Sequence, residues 1–383
     1  MDISNKRMVI VTHYLVYGAP QALQEYLVQE KIPSLLFIAH PLQVDHTRSY
    51  LEICGDGVVK QRKPVAYRSR WTILNYFFEY FFTLWAVRKN GLQDLFVGVD
   101  SLNAFAGICL KKMGRVRRVI FYTIDYVPQR FTNRVLNEIY HWLDRFCLTH
   151  ADETWNVSPR IAEGRELIRG LSRSRYTRQR VVPIGVWFDR VKRLPFKKIK
   201  KHQLLFVGNL LEKQGVQLVI GAIPEIIKKL PQFHFLVVGG GPYEEALRAQ
   251  VEAGGVLKHV TFTGWVKDRA VLDTMMADSA LAIAMYDTTK DSFTYYADAT
   301  KLKDYLSAGL PILLTDVPYN AYDIVQHGCG AIVNYDESSV TNAIIDFLQN
   351  EERLVEARQA ALTYIVNYDW RHIFRQALEA IPE

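Results

Sequence analysis

One lysine in the segment 297–316, ADATKLKDYLSAGLPILLTD, is placed to bind an anion. The spacing of apolar residues predicts a short helix that Asp298 or Thr300 caps, followed by a strand from Ile312 to Thr315. Lys301 then lies in the first turn, where free backbone N–H groups and the helix dipole also favour negative charge. The alternative is that Lys301 is an ordinary solvated lysine.

Two aspartates in the first half follow predicted strands. Asp100 comes directly after Leu95 to Val99, and Asp125 comes after Arg118 to Thr123. In an open parallel sheet, ligands gather beyond the carboxyl ends of the strands, so both carboxylates are positioned to meet a substrate. Asp100 has a second reading, as the cap of the next helix. Asp125 is the leading candidate for a general base, and its alternative is a structural ion pair with Arg130.

The elements that position these residues alternate between strand and helix along both halves of the chain. The opening strand Met8 to Thr12 leads through a loop and a helix into a second strand, and the second half repeats this β-loop-α unit from Leu204 onward. Such alternation predicts parallel sheets covered by helices. A chain of 383 residues, 49% of them apolar, is long enough for two such domains.

Charge and cysteine content narrow the class of protein. The net charge of +7 favours anionic partners, namely a nucleotide diphosphate, a lipid surface or a nucleic acid. The four cysteines show no C-x-x-C spacing, and the N-terminal residues contain no apolar run typical of a signal peptide. We therefore expect a cytoplasmic protein. No sequence signature of a nucleic-acid-binding motif is present, so we expect no nucleic acid partner.

An aromatic segment from Trp71 to Val87 contains one charged residue, Glu79. Asn75 and Glu79 mark one polar face, so the segment predicts an amphipathic helix rather than a membrane span. Either this helix packs against the first sheet, or it inserts an aromatic edge into a membrane whose headgroups meet Arg68 and Arg70.

A basic run separates the two halves. Between Arg160 and Lys201 there are 14 basic residues and three acidic ones. Such a run is commonly a solvated face, and the functional alternatives are anionic lipid or a phosphate-bearing acceptor. With the aromatic segment, it predicts peripheral association with the inner face of a membrane.

The segment ATKLKDYLSAGLP resembles the donor-site motif of GT-B-fold glycosyltransferases of the group 1, or family four, type. The motif residues are Lys301, Asp304, Gly309 and Pro311. The family's first acidic residue falls at Tyr296, so it is missing here, and the resemblance leaves Asp291 or Asp298 in the same loop to replace it.

Three further loops fit the same resemblance. Gly208 resembles the glycine of the phosphate loop, in which Asn209 replaces the usual arginine and Lys213 stands one position before the usual lysine. The family pattern also implies nucleotide contacts from the loops that follow later strands, at Gly239, Gly241, Gly264 and Trp265.

The first loop carries His13 and Gly18, and the resemblance implies that this loop faces the interdomain cleft. Gly18 is then a candidate contact for the donor phosphate. His13 is either a substrate contact or a packed polar residue.

The resemblance also implies domain boundaries. The segment 181–186, VVPIGV, resembles the strand that ends the first domain. We expect an acceptor-side domain over 1–188, a linker over 189–202, a nucleotide-sugar domain over 203–365, and a terminal helix over 366–383, containing Trp370, that returns to the first domain.

The sequence therefore predicts an α/β fold of two doubly wound, Rossmann-like domains facing a cleft. The function implied is metal-independent hexosyl transfer from a nucleotide diphosphate sugar to a glycan or lipid-linked acceptor in polysaccharide biosynthesis, with no cofactor. The expected catalytic residues are Asp125, Lys301 and Lys213. The alternatives are an epimerase or phosphorylase on the same fold, or a nonenzymatic basic protein that binds membranes.

Overall fold

The structure is a computed structural model of the chain. It describes residues 1–14, 16–42, 48–65, 69, 71–172, 176, 178–287 and 293–382, without the side chains of residues 72 and 73. The chain divides into two compact units. The first contains Met1–Ile184 together with Trp370–Glu383, and the second contains Gly185–Asp369.

The first unit contains a sheet of eight strands in the order β4-β3-β2-β1-β5-β6-β7-β8. Its strands are β1 (Arg7–Tyr14), β2 (Ser34–Pro41), β3 (Tyr50–Gly55), β4 (Val58–Pro64), β5 (Gln93–Val99), β6 (Val116–Thr123), β7 (Glu153–Asn156) and β8 (Arg178–Val181). Its helices are α1 (Ala19–Gln29), α2 (Thr72–Lys89), α3 (Asp100–Lys112), α4 (Arg134–His150) and α5 (Pro159–Arg169).

Most of this sheet is parallel, and its central strands are apolar on both faces because helices cover both. One edge differs, since β3 pairs antiparallel with β2 and with β4. Asp56 and Gly57 form the hairpin turn between β3 and β4 with φ of 55° and 85°, the left-handed conformation that such a short turn requires.

The second unit contains a six-stranded parallel sheet in the order β11-β10-β9-β12-β13-β14. Its strands are β9 (Gln203–Val207), β10 (His234–Val238), β11 (Val260–Phe262), β12 (Leu281–Ala284), β13 (Ile312–Leu314) and β14 (Gly330–Ile332). Its helices are α6 (Val216–Lys229), α7 (Glu244–Ala253), α8 (Arg269–Asp278), α9 (Phe293–Tyr296), α10 (Thr300–Ser307), α11 (Ala321–Gln326), α12 (Glu337–Gln349) and α13 (Glu351–Ile365).

Apolar cores lie on both faces of the second sheet, which makes this unit doubly wound. The last helix, α14 (Trp370–Glu379), belongs to the first unit. Phe374 of α14 packs against Tyr26 of α1 with ring centroids 5.8 Å apart.

Two local predictions were wrong. The segment 181–186 is not a strand, because β8 ends at Val181, just before Pro183, whose ring nitrogen has no hydrogen to donate to a ladder. Neither Asp298 nor Thr300 caps α10, whose N-cap residue is Ala299 without a side-chain hydrogen bond. Asp298 instead pairs with the buried ammonium group of Lys303.

The close packing of β5 on α3 predicts that Gly98→Ala destabilises the first unit. A Cβ at Gly98 would lie 2.4 Å from the Cα of Ala104, so the strand and the helix would have to separate. We expect a loss of roughly 1–3 kcal/mol in the free energy of unfolding, measured by denaturant titration. Gly18→Ala is the matched control, because its nearest neighbours would be 3.8 Å away. Equal stabilities for the two variants would contradict this packing argument.

Candidate functional site

Lys301 lies at the second residue of α10, and its side chain is half-buried, with the ammonium group largely removed from water. Its Nζ donates a hydrogen bond of 2.8 Å to Oε1 of Gln214. The same nitrogen lies 4.6 Å from the ring centroid of Phe206 and 5.4 Å from that of Tyr286. These contacts place the amine beside the carboxyl end of β9, where a parallel sheet binds ligands.

Burial lowers the pKa of Lys301 from 10.5 to about 7. Desolvation disfavours the charged ammonium form, and the side-chain contacts of its Nζ within the described part of the chain are a neutral amide and aromatic rings. An anion entering beside Nζ would restore the charge. The site therefore has the electrostatics of an anion site whose cation is only partly ionised at neutral pH.

The loop that carries Lys213 lies next to this amine through its neighbour Gln214. The backbone N–H of Asp287 donates to the carbonyl of Lys213, which fixes the loop against the end of β12. Gly215 follows with φ of 71°, and a Cβ there would lie 2.7 Å from Met285. The glycine therefore permits the tight turn that brings Gln214 to Lys301.

The glycines predicted to approach a nucleotide pack first against one another. The amide of Gly208 donates to Val238, and that of Gly239 donates to Gly264. A Cβ at Gly239 would lie 1.9 Å from the carbonyl oxygen of Gly208. Close packing between loops is sufficient to explain Gly208 and Gly239, whether or not a nucleotide contacts them.

Three other predicted nucleotide contacts line the same loops. A Cβ at Gly241 would lie 2.7 Å from Oδ1 of Asn209, so this glycine also permits close loop packing. The indole of Trp265 lies beside Gly240 and is 65% exposed. Its exposed face leaves room for a stacked base.

Asp304 lies one turn after Lys301 on α10. Its carboxylate accepts a hydrogen bond of 2.8 Å from Arg269. Burial raises the pKa of Asp304, and the positive charge of Arg269 opposes that shift. Tyr305, also on α10, accepts a hydrogen bond of 2.6 Å from the amide of Val207 and so joins the helix to the end of β9.

The first unit contains a cavity of about 250 Å³ at the carboxyl ends of β1, β5 and β6. We name it the carboxylate pocket; its polar lining includes His13, Asp100, Asp125, Arg130 and Tyr140. Oδ2 of Asp125 accepts a 2.8 Å hydrogen bond from Arg130. Oδ1 of Asp100 and Oδ1 of Asp125 are buried without a partner among the described residues. The predicted Asp125–Arg130 pair therefore exists inside a pocket that retains unused hydrogen-bonding capacity.

Asp100 does not cap α3, because it is the first residue of that helix and the N-cap is Val99. Its φ of 63° is a left-handed backbone conformation that residues other than glycine rarely adopt. Burial, followed by the charge of Asp125, raises the pKa of Asp100 from 3.8 to about 7, although Arg130 and His13 oppose the shift. Strain and a raised pKa in one pocket residue are typical of functional sites.

His13 lines the pocket and is also a packed polar residue. Its Nε2 lies 3.1 Å from Glu79 of α2, and its Nδ1 lies 3.0 Å from Asn103 of α3. The N–H of Gly18 donates to Oε1 of Gln21 at 3.0 Å, and the contact of Gly18 with a donor phosphate stays a prediction.

Asp291, Arg68 and Arg70 lie outside the described residues. The basic run is not one solvated face. Arg165 is buried and donates two hydrogen bonds to Asp144, of 2.9 and 2.6 Å. Arg180 pairs with the buried Glu153 at 2.7 Å. Part of the run therefore stabilises the first unit internally.

Gln214, Arg269 and Tyr305 contribute to the sites and were not predicted from the sequence. Gln214 had one detectable signal, a polar residue directly before a glycine that opens a helix. The other two act through contacts with residues distant in the chain, which local patterns do not encode.

Residues 201–350 match the family model described as Glycosyl transferases group 1. The resemblance inferred from the motif around Lys301 is confirmed over this segment. Fold and match together define a chain of two doubly wound α/β units, the second of which contains the segment similar to the group 1 glycosyltransferases.

Two relatives from Mycobacterium tuberculosis are similar to parts of the chain. A GDP-mannose-dependent alpha-(1-6)-phosphatidylinositol monomannoside mannosyltransferase is 28% identical over 257 residues, which cover 58% of this chain and 65% of the relative. A phosphatidyl-myo-inositol mannosyltransferase is 26% identical over 184 residues, which cover 46% of this chain and 45% of the relative. The chain thus spans less than two thirds of the length of these relatives.

Solved structures resemble the chain over nearly its whole length. HepE of Anabaena, in complex with UDP, aligns with a TM-score of 0.71 and 14% identity over 97% of this chain and 98% of its own. WaaG, a glycosyltransferase involved in lipopolysaccharide biosynthesis, aligns with a TM-score of 0.66 and 16% identity over 98% and 99%. The predicted fold class of two doubly wound domains is confirmed, with the β3–β4 hairpin as an addition at one edge.

The environment of Asp100 predicts a pH-dependent effect of Asp100→Asn on stability. The unfolded chain loses this proton near pH 4 and the folded chain near pH 7, so ionisation favours unfolding across that window. Wild-type stability therefore falls as pH rises between these values, and the variant avoids that loss. Asparagine also tolerates a positive φ.

We expect the Tm of Asp100→Asn to match the wild type near pH 4 and to exceed it by several degrees near pH 8, at about 2–4 °C per kcal/mol. Calorimetric melts across pH measure the difference. Asp316→Asn, at an exposed carboxylate, is the control and should show no such trend. A Tm difference that is constant across pH would refute the assignment.

Proposed function

We propose that the protein transfers a sugar from a nucleotide diphosphate sugar to an acceptor bound by the first unit. The observation that carries this proposal is the amine of Lys301, buried at the start of α10 within the segment that matches the group 1 glycosyltransferases. The names of the relatives support a sugar nucleotide as donor and a lipid-linked acceptor. The UDP complex of HepE supports nucleotide binding by this fold.

In the proposed reaction, the bond between the anomeric carbon and the diphosphate breaks, and the diphosphate leaves with the electron pair. Lys301, Lys213 and the amides at the start of α10 stabilise the negative charge on the leaving group, as preorganised groups do in electrostatic catalysis. This arrangement needs no metal and no cofactor. The nucleotide part of the donor is held by Gly208, Asn209, Gly239, Gly241, Gly264 and Trp265, and Asp304 contacts the sugar.

The acceptor hydroxyl forms the new bond and gives up its proton. In an inverting enzyme we assign that proton to Asp125, whereas in a retaining enzyme the leaving diphosphate accepts it. The hydrogen bond of Asp125 to Arg130 orients its carboxylate in either case. The anomeric configuration of the product distinguishes the two.

Lys301→Ala should lose turnover far more than stability. Removing one group that stabilises transition-state charge typically costs ~100-fold or more in kcat. The measurement is transfer from UDP-glucose and GDP-mannose to a membrane lipid extract at saturating donor, with circular dichroism to verify folding. Lys228→Ala is the matched control, because that lysine is exposed and pairs with Glu225 on α6.

Unchanged turnover in Lys301→Ala would remove the lysine from the mechanism. If the protein converts a nucleotide sugar into its epimer without any acceptor, the proposal of glycosyl transfer is wrong and the epimerase alternative is correct.

We further propose that the first unit associates peripherally with an anionic membrane at the cytoplasmic face. In the part of the chain that the structure describes, no helix is long and apolar enough to cross a membrane. The aromatic face of α2 supports surface binding, since Leu74, Phe77, Phe78, Phe81 and Trp85 are exposed at helical spacing. Arg88 and Lys89 follow in the last turn and are placed to meet anionic headgroups.

Replacing Phe77 and Phe81 by serine should weaken vesicle binding. Both rings are more than half exposed, at 58% and 60%, so their loss removes apolar contact with lipid without opening the core. We expect roughly fivefold weaker sedimentation with vesicles of phosphatidylcholine and phosphatidylglycerol. The double variant Tyr322→Ser/Val355→Ser, at exposed positions of the second unit, is the control. Equal wild-type binding to neutral and anionic vesicles, or no binding to either, counts against the proposal.

A further inference from the structure

The polar side of the carboxylate pocket requires a ligand that brings hydrogen-bond donors. Oδ1 of Asp100 and Oδ1 of Asp125 are both buried and unpartnered within the described residues, and both residues line the cavity. A buried polar atom without a partner is costly, so a ligand that supplies one gains affinity. Hydroxyl groups fit best, because a hydroxyl donates to an ionised carboxylate and also accepts from a protonated one.

The same residues disfavour a phosphate inside the pocket. Three aspartates, Asp100, Asp125 and Asp144, line the cavity, and Arg130, which also lines it, is already paired with Asp125. A negatively charged group would be repelled by these carboxyls. The pocket therefore selects an uncharged ring with several hydroxyls, such as a sugar or a cyclitol.

The opposite wall is apolar and continues out of the pocket. Leu136, Ile139 and Leu143 of α4 line the cavity. Ile139 also lines a neighbouring groove of about 430 Å³, together with Arg134, Val135, Glu138 and Trp142. We name this second cavity the α4 groove.

The α4 groove has the chemistry of an alkyl-chain site. Val135, Ile139 and Trp142 expose 68%, 49% and 57% of their surface, which is unusual for three apolar residues on one helix face. Ile139 belongs to both cavities, so a molecule with its ring among the carboxyls would leave the pocket over apolar surface. Arg134 provides a cation on the same groove, next to which the phosphate of a phospholipid would be favourable.

We propose that the first unit binds an amphiphilic acceptor, with an uncharged polyhydroxyl ring in the carboxylate pocket and one alkyl chain in the α4 groove. The role of this molecule as acceptor rests on the proposed transfer function, whereas the site itself rests on the two unpartnered carboxyl oxygens and the shared wall at Ile139. Asp100 and Asp125 select the ring, and Ile139 and Trp142 select the chain.

The test measures binding without any nucleotide, so its result is independent of whether transfer occurs. Dioctanoyl phosphatidylinositol, below its critical micelle concentration, supplies both parts of the ligand. Free myo-inositol supplies the ring alone, and dioctanoyl phosphatidylcholine supplies chains with a headgroup that has no hydroxyls. We expect calorimetry to show binding of the inositol lipid at least about tenfold tighter than either partial probe.

Variants assign the two halves of the site. Asp100→Asn should lower the affinity for the inositol lipid by roughly tenfold and leave the affinity for the choline lipid unchanged, because only the inositol ring contacts the carboxyl group. Ile139→Ser changes a half-exposed position and should not disturb folding. It should lower the affinity for the inositol lipid to nearly that for free myo-inositol and leave the affinity for myo-inositol unchanged. Val355→Ser, equally exposed on α13 of the second unit, is the control for Ile139→Ser.

Three results would overturn the proposal: equal affinity for the two lipids, equal affinity for lipid and free myo-inositol, or no binding of any probe. Tight binding of the inositol lipid by a protein that transfers no sugar would refute the proposed function and leave the binding site in place.

Discussion

The second unit contains an ammonium group, that of Lys301, which is largely removed from water and contacts no carboxylate among the described residues. Lys301 loses hydration and, within the part of the chain that the structure describes, its Nζ contacts an amide oxygen and aromatic rings, so its pKa falls to about 7. Arg165 in the first unit is a buried cation with full pairing, because its guanidinium donates hydrogen bonds to Asp144, Asn156 and Thr123. A fully paired buried charge is structural, whereas a partly paired one is poised for a ligand. Stability and anion binding therefore compete at Lys301.

In the first unit, the groups with unsatisfied hydrogen bonds are carboxyls, and they too lie at the carboxyl ends of parallel strands. Parallel strands bring Asp100 and Asp125 to one edge, where burial and then the charge of Asp125 raise the pKa of Asp100. One unit thus presents an incompletely paired cation and the other presents incompletely paired carboxyls. The proposed glycosyl transfer needs this difference, because its leaving group is an anion while its acceptor is a hydroxyl.

Local patterns predicted the elements and the motif but not the long-range partners. The alternation of strand and helix predicted from Leu204 onward is observed, and α6 is one of its helices, because helix spacing is a local property. Asp298 followed the rules for a cap yet pairs with Lys303, since burial of that lysine is decided by the fold around it. The positive φ of Asp100 was also not visible in the sequence, because aspartate at a strand end does not require it. The β3–β4 hairpin was missed although Asp56 and Gly57 are a strong turn signal.

The two faces of α2 explain why the proposed membrane attachment and the carboxylate pocket can be tested separately. The inner face holds the pocket, since Glu79 contacts His13, and Thr83 lies 3.0 Å from Nε2 of the buried His40. Burial and the neighbouring His13 keep the pKa of His40 well below its usual value, so His40 stays neutral and this contact does not change with physiological pH. The outer aromatic face makes none of these polar contacts. Serine at Phe77 and Phe81 therefore alters the exposed aromatic surface while the groups that position His13 remain in place.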